Sequence, residues 1–230
     1  MALPAIAFGI LAYAYLTLPD VRPLKTTNPS TTAFIELRGD EARERGVPVK
    51  RVIRWQSYPR ISRDLKRAVL VAEDSAFWQH EGVDFEQLQD SLQVDWRRGR
   101  FTRGASTITQ QLAKNLYLSP SRNPLRKFRE LIIARRLEAE LPKARILEIY
   151  LNVIEWGDGI YGAEAAARTY FHESASELGP DHSALLAGAI INPRVYSPAH
   201  PNGRLLRRQQ LILKRMGVVA EPESIGQVVQ

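Results

Sequence analysis

The 230-residue chain contains no cysteine. That excludes disulfides and thiolate metal sites, and it suits a compartment outside the cytoplasm. No repeat of fixed period runs through it, which sets aside solenoids and propellers. Two further absences are local. Residues 68–96 hold no lysine or arginine but seven acids: Glu73, Asp74, Glu81, Asp84, Glu86, Asp90 and Asp95. Residues 97–136 are nearly the inverse, with one acid, Glu130, against eleven Lys or Arg. This segment alone carries +10 in a chain of net charge +7, so everything else sums to −3. The positive charge is local, and it suits an anionic partner: nucleic acid, an acidic membrane surface or a phosphorylated substrate. A positive block adjoining a negative one suggests a cleft that holds an anion beside a carboxylate base, although charge counts alone also allow two ordinary solvated faces.

Residues 2–18 lack any charge and are closed by Pro19 and Asp20. Seventeen residues is the lower limit for a membrane-spanning helix, and Tyr13 and Tyr15 suit an interfacial belt. A cleaved signal peptide, with Ala12-Tyr13-Ala14 as a small-x-small site, and a buried core helix are the alternatives; the missing charged n-region weighs against the former. Arg22 and Lys25 follow the run and nothing basic precedes it, which, read literally, puts the body in the cytoplasm. The expected boundaries are an anchor over 1–19, a linker and domain start over 20–49, a domain over 50–217 and a tail over 218–230.

Residues 19–31, rich in Pro, Thr and Ser, read as a linker. Alternation over 32–38 and 50–58 predicts two short strands. Beyond them the pattern is helical. Leu65, Ala68, Val69, Ala72 and Ala76 share one face with Ser62 as N-cap, which puts Glu73 at the margin of that face, where partial desolvation makes a carboxylate a better base. Asp84 with Gln87 forms a capping box for a helix ending near Gly99, Ser106 caps a third, and Asn123 with Pro124 opens a fourth. Pro142 breaks that helix after Leu141 and starts another ending at Asn152. A loop with Gly157, Gly159 and Gly162 leads to helices near 163–171, 181–190 and 204–216, the last stopped by Gly217. The fold expected is mainly α.

Four strings stand out. The first, from Glu73 to Gly82 (EDSAFWQHEG), places acids at a helix end, Phe77 a turn later and His80 before a turn glycine. The second, from Gly104 to Asn115 (GASTITQQLAKN), puts hydroxyls and free backbone N–H groups at a helix start, a setting for phosphate or a sugar hydroxyl. The third is Arg126-Lys127-Phe128-Arg129-Glu130, with Arg126 and Glu130 at i and i+4. The fourth, KARILEIYLN from Lys143, is an amphipathic helix packing Ile146, Tyr150 and Leu151. Each taken singly reads as ordinary helix capping and packing.

In this order and spacing they resemble the peptidoglycan glycosyltransferases, the lysozyme-like family that polymerises lipid II, whose patterns are EDxxFxxHxG, GGSTITQQxxKN, RKxxE and KxxILxxYLN. The likeness covers residues from about 50 to 216, with Ala105 where a second glycine often stands. With no transpeptidase sequence following, it is nearest the monofunctional biosynthetic form. The resemblance implies a lysozyme-like domain with a small membrane-proximal jaw, one N-terminal transmembrane helix, and catalysis on the periplasmic side of the inner membrane. It implies that Glu73 is the general base toward the acceptor's sugar 4-hydroxyl and that Glu130 is a second essential carboxylate. Lys114, Arg122, Arg126 and Lys127 would hold the donor pyrophosphate. Ser106, Thr107, Gln110 and Gln111 would line the cleft, with Asp74, Phe77, His80, Gly104 and Asn115 also binding substrate.

Chemistry agrees with this division. Passing from an α-linked pyrophosphate to a β-1,4 bond inverts the anomeric centre, so the base stands opposite the leaving group. A departing pyrophosphate needs charge neutralisation more than a proton. Glu130, among cations, suits orienting Arg126 and Lys127, or coordinating a divalent ion, better than acting as an acid. No cofactor is demanded, and Mg²⁺ or Mn²⁺ is an option rather than a requirement. Phe85, Leu88, Leu92, Val94, Trp96 and Phe101, edged by Arg97, Arg98, Arg100 and Arg103, form a second candidate for membrane contact, or else one helix's core face. The expected partners are lipid II, the growing glycan chain, membrane lipid and proteins of cell-wall synthesis or division, without nucleic acid. A lytic muramidase is the first rival, but it wants a lone Glu followed by Ser, and Asp74 follows Glu73. A membrane-tethered nucleic-acid-binding module is the second, and predicts steeply salt-dependent affinity with no need of Glu73.

Overall fold

A computed structural model describes residues 16–85, 89, 106–118 and 124–217. The candidate anchor up to residue 15, the jaw and its apolar stripe between 90 and 103, the 218–230 tail, and Gly104, Arg122 and Asn123 lie outside them. Among the described residues no helix is long and apolar enough to cross a membrane. The chain divides into two compact units, Met1–Arg51 with Ala76–Ile154, and Val52–Ser75 with Glu155–Gln230.

The first unit is built on α1 (Ala33–Glu44), α3 (Ile108–Tyr117), α4 (Pro124–Glu140) and α5 (Lys143–Val153). α3 packs against α1, α4 and α5. Ile108 and Leu112 on α3, Ile133 and Leu137 on α4, and Ile146, Leu147 and Tyr150 on α5 are fully buried. Their three- and four-residue spacings put them on single faces, and burying each aliphatic one contributes about 1.5–3 kcal/mol. Pro142 falls between α4 and α5 as the latter's N-cap, at φ −65°. Lacking an N–H, it cannot prolong α4, while its fixed φ suits a helix start.

Residues 32–38 are not a strand. Thr32 is an N-cap whose Oγ1 accepts the Ile35 N–H at 3.1 Å, and Ile35, Gly39 and Ala42 form a buried helical stripe. The aromatic and branched residues here favour a strand locally, but the cap and tertiary packing prevail. The linker is also more ordered than expected. It forms a 3-10 turn at Arg22–Lys25 with Val21 and Leu24 buried. Arg145 donates to Leu24 O (2.8 Å), Thr27 O (3.2 Å) and Asn28 Oδ1 (2.8 Å). Lys25 pairs with Glu140 at 2.6 Å, and Arg129 donates to Thr17 O at 2.9 Å.

The second unit holds α2 (Arg63–Glu73), α6 (Ala163–Phe171), α7 (Pro180–Ala189) and α8 (Gly203–Arg215), with a three-stranded sheet. α7 is apolar on every side, buried from Ser183 to Ala189, and packs against both α2 and α8. α8 is amphipathic instead, burying Leu205, Gln209, Ile212 and Leu213. It ends one residue earlier than expected, and Gly217 at φ +68° stops the chain from continuing as helix. Of the strand expected over 50–58 only β1 (Val52–Ile53) forms, because its partner is not 32–38. It pairs in parallel with β3 (Ile160–Tyr161), which pairs antiparallel with β2 (Glu155–Gly157). The loop expected at 157–162 is thus a short hairpin. A Cβ on Gly157 would lie 1.8 Å from Tyr170 Oη, so no other residue fits there.

Candidate active site

In the second unit Glu73 is the last residue of α2. Ser62 starts that helix, its Oγ accepting the Leu65 N–H at 2.9 Å, and Leu65, Ala68 and Val69 sink its apolar face. Glu73 therefore stands at the edge of a packed face with its side chain 13% exposed. Arg208 of α8 reaches it, Nη2 to Oε1, at 3.3 Å. The Arg208 Nε is buried and has no partner, which leaves this guanidinium short of one bond. Asp74 ends the helix, donating its N–H to Leu70 O at 2.8 Å, and is buried.

In the first unit the second and third motifs gather around α3 and α4. Thr107, not Ser106, is the N-cap of α3. Its Oγ1 accepts the Gln110 N–H at 3.2 Å and donates to Gly82 O at 2.7 Å, tying the second motif to the end of the first. Ser106 instead faces Lys127, whose Nζ lies 3.4 Å from its Oγ and 3.3 Å from Gln110 Oε1. Lys127 also bonds Glu130 Oε1, while Arg126 Nη1 bonds Oε2 at 3.0 Å. Glu130 is 3% exposed, so this is a buried carboxylate with a cation on each oxygen. Lys114 lies four residues after Gln110 and three after Gln111, one turn further along α3. Gln111 Oε1 accepts the Tyr150 hydroxyl at 2.9 Å, and Asn115 Nδ2 donates to Gln111 O at 2.8 Å.

A second charged pair lies beside these groups. Lys143, the first residue of the fourth motif, bonds Glu138 at 2.8 Å and His80 O at 2.5 Å, with its ammonium 4.4 Å from the centroid of the Phe77 ring. Thr109 Oγ1 donates to the same Glu138 oxygen at 2.5 Å. Phe77 is fully buried and edge-on to Trp78 and His80. His80 Nδ1 accepts the Gly82 N–H at 3.1 Å, which leaves the proton of the neutral ring on Nε2. Gly82 sits at φ +86°, and a Cβ there would press on Glu138 Cγ at 3.0 Å. The 77–82 turn, α3 and the start of α5 are thereby locked together through one lysine.

Sequence reading missed Arg208 and Glu138, and read Tyr150 as a packing residue rather than as a partner of Gln111. Arg208 is one of several basic residues on α8 and nothing local marks it. Glu138 was findable, since it lies two turns beyond Glu130 on the same helix. Among the described residues no group of three or more His, Cys, Asp or Glu could hold a metal ion.

A mainly helical domain that gathers carboxylates, amides and cations at its helix ends has the make-up of an enzyme. Residues 42–217 match the family described as Transglycosylase. The chain is 47% identical over 198 residues to the biosynthetic peptidoglycan transglycosylase of Laribacter hongkongensis (strain HLHK9), spanning 86% of this chain and 87% of that one. It is 49% identical over 195 residues to that of Aromatoleum aromaticum (strain DSM 19018 / LMG 30748 / EbN1), spanning 85% and 84%. With that of Nitrosospira multiformis (strain ATCC 25196 / NCIMB 11849 / C 71) it shares 44% over 213 residues, 93% of each. The chain belongs to the transglycosylase family, and it is a glycosyltransferase.

Proposed function

We propose that this glycosyltransferase polymerises the glycan of peptidoglycan from lipid II, forming β-1,4 links and releasing undecaprenyl pyrophosphate. What carries the reading is the 44–49% identity to three biosynthetic peptidoglycan transglycosylases over most of both chains. Glu73 takes the proton of the acceptor 4-hydroxyl as that oxygen attacks the anomeric carbon, and the configuration inverts. Its half-buried position at the end of a packed helix supports this role, because Arg208 at 3.3 Å orients a carboxylate whose side chain stays 13% exposed. Lys114, Arg122, Arg126 and Lys127 neutralise the charge that grows on the leaving pyrophosphate. Glu130 holds Arg126 and Lys127 in place for that task.

Both oxygens of Glu130 are engaged by cations, so this carboxylate fits an orienting role rather than a metal cage. Mg²⁺ or Mn²⁺, where it assists, belongs on the substrate's phosphates. The lipid-linked substrate places the reaction at the membrane, which agrees with an anchor in residues 2–18 and a catalytic domain on the periplasmic side.

The test is polymerisation of labelled lipid II in detergent micelles by wild type and Glu73→Gln. Glycan chains from wild type and none from the variant are expected. Polymer from both would remove Glu73 as the base. Shortening of pre-formed glycan without polymerisation would replace synthesis by cleavage.

A further inference from the structure

We propose that a cavity at the far end of α2 from Glu73 is a second saccharide site, which takes a carboxylate-bearing substituent of the acceptor saccharide. The inference rests on the peptidoglycan reading above for its ligand. The cavity has a volume of about 530 Å³ and is lined by Tyr58, Pro59, Ser62, Arg63, Lys66 and Ser176, with no acid among its walls. The Lys66 ammonium lies 4.2 Å from the Tyr58 ring centroid and donates to Tyr58 O at 3.1 Å. These two contacts hold the charge at the cavity wall. Arg63 makes no hydrogen bond or ion pair among the described residues.

Two cations thus share one concavity without a counter-charge. Burial, and then the Arg63 charge, hold Lys66 below its ordinary value. An anion between them relieves that repulsion. Tyr58 and Pro59 offer apolar surface for the C–H face of a sugar ring, and the hydroxyl of Ser176 adds a polar contact.

The position along α2 selects the acceptor saccharide over a free anion. Lys66, Leu70 and Glu73 are four and three residues apart, so they follow one edge of the helix, and all three are half-buried. Two helical turns separate the ammonium from the carboxylate, about 10 Å. An acceptor saccharide that offers its hydroxyl to Glu73 and runs back along this edge brings a substituent on its neighbouring sugar over Lys66 and Arg63. The peptide branches of peptidoglycan end in carboxylates, which supplies the matching charge.

Calorimetric titration of the full chain tests this with three probes: a soluble muramyl-peptide disaccharide with free carboxylates, the same compound amidated, and inorganic phosphate. The acidic compound is expected to bind about tenfold more tightly than the amidated one, and to lose about tenfold in Lys66→Met and in Arg63→Glu. Arg63 is exposed, so its variant keeps the fold, which thermal melting verifies. Equal binding of acidic and amidated compounds, or unchanged affinity in both variants, overturns the site. Displacement of the disaccharide by equimolar phosphate also overturns it, in favour of a simple phosphate site. Polymerisation is read in parallel on the wild type. Polymer without carboxylate-dependent binding sinks this inference alone, whereas binding without polymer sinks the activity and leaves an acidic-saccharide site.

Discussion

The two carboxylates that matter most here are treated in opposite ways by the units that carry them. Glu130 in the first unit is 3% exposed, with Arg126 on one oxygen and Lys127 on the other. Glu73 in the second unit is 13% exposed at the side chain and meets Arg208 at 3.3 Å. A carboxylate clamped by two cations has no lone pair to spare for a proton in flight, and its strength lies in fixing those cations. A carboxylate that keeps 13% of its side chain exposed remains within reach of a substrate. On the roles proposed above, the same residue type serves as a frame in one unit and as a reagent in the other, and its neighbours decide which.

That contrast is broken most sharply at Glu73. Glu73→Gln should cut lipid II polymerisation by about 10²–10⁴-fold, the usual worth of a general base. Calorimetric melting should move by less than about 1 kcal/mol, because its pair with Arg208 is only partly shielded. The first unit should answer in the opposite currency. Lys143→Met leaves Glu138, whose side chain is 7% exposed, buried without its cation, and should lower stability by about 2–4 kcal/mol. Adding Glu138→Gln should restore part of that loss in a double-mutant cycle, and strict additivity would show that the pair is not coupled.

Glu130→Gln should do both things at once, costing about tenfold or more in activity and about 1–2 kcal/mol in denaturant stability. That is less than a sealed pair would lose, since Arg126 and Lys127 are 23% and 46% exposed at the side chain and water screens them. A smaller effect distinguishes Glu164 of the second unit. Burial pushes its carboxyl up, but hydrogen bonds from the Ala175 N–H, Arg168, Ser174 and Gln56 outweigh that and hold it below the ordinary range. A lowered value means stability that is present above the ordinary carboxylate range and is lost as pH falls through the folded-state value. Wild type should therefore out-melt Glu164→Gln at pH 7, and the gap should close in acid. The smallest change runs in the stabilising direction. The Ser183 hydroxyl is buried without a partner, so Ser183→Ala should raise the unfolding free energy by up to about 1 kcal/mol.

Much of this was legible from local pattern. Ser62 as a cap, the face of Leu65 and Val69, and the helix from Ala163 to Phe171 are set by residues within a turn or two of one another, and periodicity reports such relations. The stretch at 32–38 misled because Phe34, Ile35 and Leu37 look like a strand in isolation; Gly39 and Ala42 complete the helical stripe only when the window is lengthened. Ser106 and Thr107 were indistinguishable as caps until one of them turned to Gly82 and the other to Lys127. At the site, motif residues were found because they sit in strings. Arg208 was not, because a bond spanning 135 residues, as from Arg208 to Glu73, leaves no trace in local spacing.

The bonds from Arg129, Lys25 and Arg145 to residues 17–28 have a mechanical consequence. Thirteen residues of free chain would roam over roughly 20 Å and let a tethered enzyme drift in height and tilt. Fastened at Thr17, Leu24, Thr27 and Asn28, that leash has almost no slack. If residues 2–18 anchor the chain as proposed, this fastening carries the first unit on a stub rather than on a loose tether.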